Sequence, residues 1–246
     1  MLDLRRLRWD ISSLFYRFTF NKVAHQVDED LFGYLADSAD GAVVADCGCG
    51  PGVTAKKFLD KGAAYVFAVD LAPGMLRQAA VRLEEPLKAG QVELVHKSFD
   101  AWFASDLPRL HEQRQIFDII LFKRSLYNAR ERAIPLIRTA LTFLKPEGVL
   151  AIVHPEKSLL KYCFGAGLSP QRHTPYHLFN RVWSLVGTLL GIGEYTLYSQ
   201  AELLQLARDA AGGMKVQVVP TQQQSFNLIA ITKQSTNSSL GPHRRL

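Results

Sequence analysis

From residue 42 onward, short runs of Val, Ile, Ala and Phe alternate with longer stretches whose apolar positions recur at helical spacing. The runs Val43–Cys47, Tyr65–Asp70, Val92–His96, Phe117–Phe122 and Gly148–His154 are predicted as strands. They are apolar at consecutive positions rather than at every second one, as strands covered on both faces must be. Between them the pattern predicts helices at Thr54–Asp60, at Pro73–Leu87 with proline in its first turn, and at Glu131–Leu144, stopped by Lys145-Pro146-Glu147-Gly148. Strands alternating with helices in this way predict an α/β fold on a mostly parallel sheet.

Two segments break the alternation. Residues 1–40 read as a helical N-terminal cap, with apolar positions at Leu4, Leu7, Ile11, Leu14, Phe15 and Phe18. Residues 155–198 hold seven aromatic residues, Trp183 and Tyr176 among them, with Gly and Pro scattered between, and read as an insertion, either a lid on the substrate site or a packed subdomain. After it, Ser199 caps a helix through about Ala211, and Lys215–Val219 with Phe226–Thr232 form a closing hairpin. The main domain is therefore expected over 41–233, and the Ser, Gly and Pro of 234–246 predict a flexible tail.

Composition narrows the class. A chain of 246 residues, 48% hydrophobic and 21% charged, supports one large core without a disulfide or metal staple. Cys47 and Cys49 lie two apart and Cys163 is remote, so no disulfide framework or second metal-ligand pair is offered; the expectation is a reducing, cytoplasmic setting and no metal. The net charge of +6 invites a nucleic-acid reading until it is located. Residues 1–25 carry +3 and residues 233–246 another +3, so the excess lies at the chain ends and not in a footprint across the domain. No apolar stretch reaches the roughly 18 residues of a membrane span, and the start MLDLRRLRW has no signal-type apolar core; peripheral membrane contact is the most that is expected.

The strongest chemical signal is Val43-Val44-Ala45-Asp46-Cys47-Gly48-Cys49-Gly50-Pro51-Gly52, a strand that runs into three alternate glycines and then a helix. Glycines at 48, 50 and 52 allow a tight turn and close approach to a ligand, and the helix start presents unpaired N–H groups. Asp70, at the end of the second strand, offers a carboxylate for the two hydroxyls of a ribose. The dinucleotide fingerprint needs a glycine at position 53, which is Val, and the Gly-Lys-Ser/Thr of a phosphate loop is absent. Asp46 ahead of the loop disfavours pyrophosphate and favours a ligand with positive charge. A cofactor with a ribose, an amino-acid head and a cationic sulfur meets these conditions.

Asp46-Cys-Gly-Cys-Gly-Pro-Gly52, followed by Ala68-Val-Asp-Leu-Ala-Pro-Gly-Met-Leu76, resembles the class I S-adenosylmethionine-dependent methyltransferases, most of all their small-molecule branch, which includes quinone-biosynthesis enzymes. The resemblance covers about residues 40–154. It implies a Rossmann-like, doubly wound, seven-stranded sheet with an antiparallel last strand. It implies that Asp46, Gly48, Gly50 and Gly52 hold the methionine part of S-adenosylmethionine, Asp70 the ribose, and Leu71 and Met75 one face of the adenine. The adenine amine is often bound by an Asp at the end of the third strand; the matching place here is Ser98-Phe99, with Asp100 two further on.

The function expected is methyl transfer to a small, hydrophobic or aromatic acceptor. Two alternatives stand beside it, an RNA methyltransferase and a non-catalytic binding protein on the same fold. Against the first, the segment after the fourth strand reads Lys123-Arg124-Ser-Leu-Tyr-Asn128 and lacks the Asp/Asn-Pro-Pro-Tyr/Phe of enzymes that act on base amines. Lys123-Arg124 lies where ligands collect in open α/β sheets, or is simply solvated. His154, at the end of the fifth strand, is the candidate proton acceptor, with His173 and His177 as substitutes; the other reading has it bonding the backbone while placement alone drives transfer. His25 is either part of a segment over the cofactor or a surface residue.

Overall fold

The computed structural model describes residues 21–107, 115–126, 132–156, 198–222 and 226–233. Its centre is a seven-stranded sheet built from β1 (Val43–Cys47), β2 (Tyr65–Asp70), β3 (Val92–His96), β4 (Phe117–Lys123), β5 (Leu144–Pro155), β6 (Lys215–Val219) and β7 (Phe226–Thr232). The order across the sheet is β3-β2-β1-β4-β5-β7-β6. β7 runs antiparallel to both β5 and β6, and the pairs among β1 to β5 are parallel.

Alternate side chains of the strands feed two cores. On one face Ala45, Cys47, Val69, Phe122, Ile152 and Ile229 pack under α4 (Ala133–Thr142) and α5 (Gln200–Ala211). On the other Val44, Ala68, Leu121, Val153 and Leu228 pack under α1 (Asn21–Tyr34), α2 (Val53–Asp60) and α3 (Pro73–Arg82). Full cover on both faces is what the unbroken apolar strand runs require. Phe58 of α2 is completely buried, edge-on to Phe32 of α1 at 4.8 Å between ring centroids. Phe58→Ala is expected to cost about 3–5 kcal/mol of stability, read from denaturant unfolding, because the space between α1, α2 and the sheet would be left empty.

Three boundaries differ from the sequence expectation. The helix begun at Pro73 stops at Arg82, and a separate short helix runs Glu84–Lys88; Pro86 has no N–H to give, and its ring conflicts with the carbonyl four residues back. Lys145-Pro146-Glu147-Gly148 does not precede β5 but lies within it. The pairing passes from Phe117 with Leu144 to Ile119 with Val149, so the extra residues bulge out, with Glu147 at φ +66° and Lys145 paired to Asp118 at 2.8 Å. The helix read as Glu131–Leu144 occupies Ala133–Thr142. The capping box at Ser199 and Glu202 is present, and Ser199→Ala is expected to lower stability by about 1 kcal/mol in the same unfolding assay.

The sheet order reverses between β1 and β4: from β1 the chain builds outward to β2 and β3, then returns to place β4 on the other side. In open α/β sheets the crevice beyond the C-terminal ends of the strands at such a reversal is where ligands bind. The glycine loop leaves β1 there.

Candidate active site

Gly48, Gly50 and Gly52 have φ of +83°, +54° and +74°. The first two backbone N–H groups of the turn, on Gly48 and Cys49, both donate to the Val69 carbonyl at 2.8 and 3.0 Å, which folds the loop back over β2. A Cβ on Gly48 would lie 2.5 Å from that of Ser125, and one on Gly52 would press on Leu83 and Ala79 of the neighbouring helices. A Cβ on Gly50 would meet nothing within 4 Å. Two glycines are thus demanded by packing, whereas Gly50 borders open space.

Asp70 closes the loop from the other side. Its Oδ2 accepts the Gly50 N–H and its Oδ1 the Ala72 N–H, each at 2.8 Å. Burial pushes its pKa upward, opposed by these backbone donors and by His96. Each oxygen keeps a further lone pair, so the carboxylate is held in one orientation with acceptor capacity left for two hydroxyls. His96 donates from Nε2 to the Leu71 carbonyl at 3.1 Å and steadies the backbone just after Asp70. Leu71 is half-buried, and Met75 is buried at 2% exposure in the first turn of α3. Ser98 caps the short helix Phe99–Ala101, with Phe99 edge-on to Phe122 at 5.6 Å, and Asp100 is paired to Arg132 at 2.5 Å.

Asp46 is 1% exposed, and its Oδ2 has no hydrogen-bond partner among the described residues; the Oγ of Ser125, 7% exposed and packed on Gly48, is in the same condition. Two buried polar atoms without partners beside one glycine loop mark a place that a polar ligand completes. Burial raises the Asp46 pKa to about 7, with Lys123 opposing and Asp70 and Asp28 adding to the rise. A carboxyl whose native pKa lies above its unfolded value stabilises the fold most at low pH, and that contribution is lost as pH climbs to the native pKa. Asp46→Asn is therefore expected to raise the unfolding free energy of the ligand-free protein above pH 7, on the order of 1 kcal/mol or more, while damaging ligand binding.

Lys123 is neither solvated nor pointed freely into the crevice. It turns inward to Asp28 of α1 and to the Thr54 Oγ1 at 3.0 Å, and Lys57 takes the second Asp28 oxygen at 2.6 Å. Asp28, Thr54, Lys57 and Ser125 were not anticipated as site residues. One signal pointed to Asp28: it falls on the apolar stripe Asp28, Leu31, Phe32, Leu35 of a helix, where a charge is out of place unless paired. Cys47 and Cys49 are buried on opposite faces of the sheet, their thiol pKa values pushed well up by burial. Among the described residues no group of three His, Cys, Asp or Glu could hold a metal.

His154 is fully buried near the end of β5. The carbonyl of Pro155 accepts from its Nδ1 at 2.8 Å, and its ring meets Tyr198 edge-on at 5.1 Å between centroids. Glu156 and Tyr198 form a β-bridge where the chain leaves and returns from the insertion. Tyr176, Trp183, His173 and His177, and likewise residues 1–20 and 234–246, lie outside the described residues, as does the side chain of His25.

Residues 44–148 match the family model described as a methyltransferase domain. No curated protein matches the sequence. Among solved structures, the chain is similar to a protein of Methanococcus maripaludis described as an S-adenosyl-L-methionine-dependent methyltransferase (TM-score 0.67, 13% identity, 96% of each chain covered). It is similar to 1,6-didemethyltoxoflavin-N1-methyltransferase of Burkholderia thailandensis, solved with 1,6-didemethyltoxoflavin and S-adenosylhomocysteine (TM-score 0.60, 19% identity, 94% of this chain and 88% of that one). It is also similar to the S-adenosylmethionine-dependent methyltransferase SibL (TM-score 0.53, 17% identity, 81% of this chain), of whose length it spans about half, 52%. The match to a methyltransferase domain spans residues 44–148, and the seven-stranded sheet has the Rossmann-like fold of these solved methyltransferases.

Proposed function

We propose that the protein moves the sulfonium methyl of S-adenosylmethionine to a small, hydrophobic or aromatic acceptor by in-line displacement. One observation carries the placement of the donor: Asp70 is locked by the Gly50 and Ala72 N–H groups beside a loop whose middle glycine opens on free space. Asp70 would take the ribose hydroxyls. The loop and Asp46 would take the amino-acid end, with Leu71, Met75, Ser98 and Phe99 around the adenine. Bound there, the donor supplies an already activated methyl, so an acceptor lone pair forms the new bond to carbon as the carbon–sulfur pair returns to sulfur. The chain's part is to align the acceptor, exclude water and receive a proton from an alcohol or amine.

The acceptor class rests on the aromatic composition of 155–198 and on the small heterocycle held by the Burkholderia enzyme. Truncating Trp183 or Tyr176 to alanine is expected to raise the acceptor KM several-fold and leave cofactor affinity unchanged, measured by initial rates and by calorimetry. Tight, salt-sensitive RNA binding would favour an RNA acceptor instead, and binding without turnover of S-adenosylmethionine on any acceptor would favour a non-catalytic module.

His154 is the proposed proton acceptor, since donation from Nδ1 to the Pro155 carbonyl fixes the tautomer that leaves Nε2 basic. Its complete burial against Tyr198 favours a second reading, in which it anchors the rim of the insertion and placement alone drives transfer. The profile of kcat against pH separates them. For a base, His154→Gln removes the acidic limb of the profile and roughly 10²-fold of the rate; for an anchor, the mutant keeps the profile and loses stability.

A further inference from the structure

A lysine beside a site built for a cationic ligand needs a reason. Asp46 pairs with Leu121 across β1 and β4, and Lys123 stands two residues further along β4, on the same face. The Lys123 side chain is 9% exposed, with its ammonium bonded to Oδ1 of Asp28 and to Thr54. Asp28, 1% exposed, arrives from α1, a helix outside the strand-and-loop framework of the site, and Lys57 of α2 occupies its other oxygen. Two lysines share one buried carboxylate; burial, with Arg124 adding, presses the Lys123 pKa down, and Asp28 is the partner that sustains its charge. The Oδ2 of Asp46, which has no hydrogen-bond partner among the described residues, lies within the field of Lys123.

Among the described residues the groups that act on Asp46 are Lys123 from β4, Asp70 from the end of β2, Asp28 from α1 and the Ala55 N–H from α2, with the Cys49 thiol on the same side of the sheet and the Cys47 thiol on the other. Only Lys123 and the Ala55 N–H favour the ionised carboxylate; Asp70 and Asp28 oppose it. An anion buried at this depth persists only with such support.

We propose that Lys123, pinned by Asp28 of the N-terminal helix, is a positioning residue that keeps Asp46 charged and thereby ties the seating of that helix to binding of the cationic end of the cofactor. The proposal rests on the reading that Asp46 faces that end. Without the Lys123 charge, Asp46 holds its proton to higher pH and the ammonium of the ligand meets a neutral carboxyl. Without the Asp28 charge, buried Lys123 loses the partner that sustains its own charge, so its support of Asp46 weakens and the carboxyl again holds its proton to higher pH. Both substitutions therefore move the binding profile the same way, and Lys123→Arg, which keeps the charge, separates this from loss of packing.

The experiment is calorimetric titration with S-adenosylhomocysteine, which has the ammonium but no sulfonium, from about pH 5.5 to 8.5. The wild-type affinity is expected to rise with pH through about 7, as Asp46 gives up its proton. Titration of the ligand itself is common to all variants and cancels between them. Lys123→Met is expected to shift the midpoint up by about one pH unit, roughly tenfold in affinity near neutrality. Lys123→Arg keeps the wild-type midpoint, and Asp28→Asn shifts it up. Equal midpoints in Lys123→Met, Lys123→Arg and wild type would overturn the proposal while leaving Asp46 at the cofactor. A flat wild-type profile would overturn the proposal as well, and an Asp46→Asn protein that binds as wild type does would remove Asp46 from the cofactor. Should Asp28→Asn fail to fold, the comparison of the two Lys123 variants decides alone.

Discussion

Asp70→Ala is expected to weaken S-adenosylmethionine binding by about 2–3 kcal/mol, roughly 30- to 150-fold, with a far smaller effect on unfolding. Two contributions add. The ribose would lose two hydrogen bonds to a charged acceptor. The Gly50 and Ala72 N–H groups, now bonded to Asp70 at 2.8 Å, would lose the partner that sets the loop. Calorimetry on wild type and mutant reads the loss directly, and equal affinity in both would mean that Asp70 serves only to brace the chain. Asp70→Asn is the informative companion: it can still accept one N–H and keep the fold, yet it has lost the charge, so an intermediate affinity is expected.

The second large effect separates two glycines of one loop. Gly48→Ala places a methyl 2.5 Å from the Ser125 Cβ at a φ of +83°, in a part of the chain where the neighbour is buried and cannot move aside cheaply. The expected cost is about 2–4 kcal/mol of stability, from overpacking together with a left-handed backbone. Gly50→Ala meets no atom within 4 Å, so only the backbone term of about 1 kcal/mol remains. The ligand side is reversed. The free space next to Gly50 is where the amino-acid end of the cofactor would lie, so Gly50→Ala should lose cofactor affinity at least tenfold in a protein that melts nearly as wild type does. Thermal unfolding and cofactor titration on both mutants give the comparison, and a Gly50→Ala protein that binds normally would place the cofactor elsewhere.

All seven strands were legible in the sequence: the inner ones, covered on both faces, leave few polar positions, and the edge strands β3 and β6 showed through their Val and Leu residues despite Glu93, His96, Lys215 and Gln217. The glycine loop and Asp70 were legible because their spacing is local. The register shift inside β5 was not, since Lys145-Pro146-Glu147-Gly148 carries every mark of a turn. Only pairing of Leu144 with Phe117 and of Val149 with Ile119 shows that the strand resumes through it. The Asp28–Lys123 pair was also out of reach: its members are 95 residues apart, and nothing local says which lysine a buried aspartate will find. Ser125 escaped for a related reason. Its significance comes from facing Gly48 across two neighbouring strands, and a serine after a strand carries no signal by itself.

Charge organises the site more tightly than its sequence motif suggests. Asp46 is held near the midpoint of its titration at neutral pH, between a burial cost that favours the proton and a lysine that opposes it. Such a group costs folding stability once ionised and would serve recognition of a cation, a common division of roles at functional sites. The network that sustains it reaches α1 and the start of α2, so changes in the N-terminal helix would be felt at the glycine loop without touching a ligand.

The most direct test of the whole account is a calorimetric titration of the wild-type protein with S-adenosylmethionine, repeated in the presence of excess NAD. The expected result is one site of micromolar affinity that NAD leaves unchanged, because Val53 stands where a dinucleotide loop needs glycine and Asp70 is set for a ribose. Absence of binding, or displacement by NAD, would contradict it.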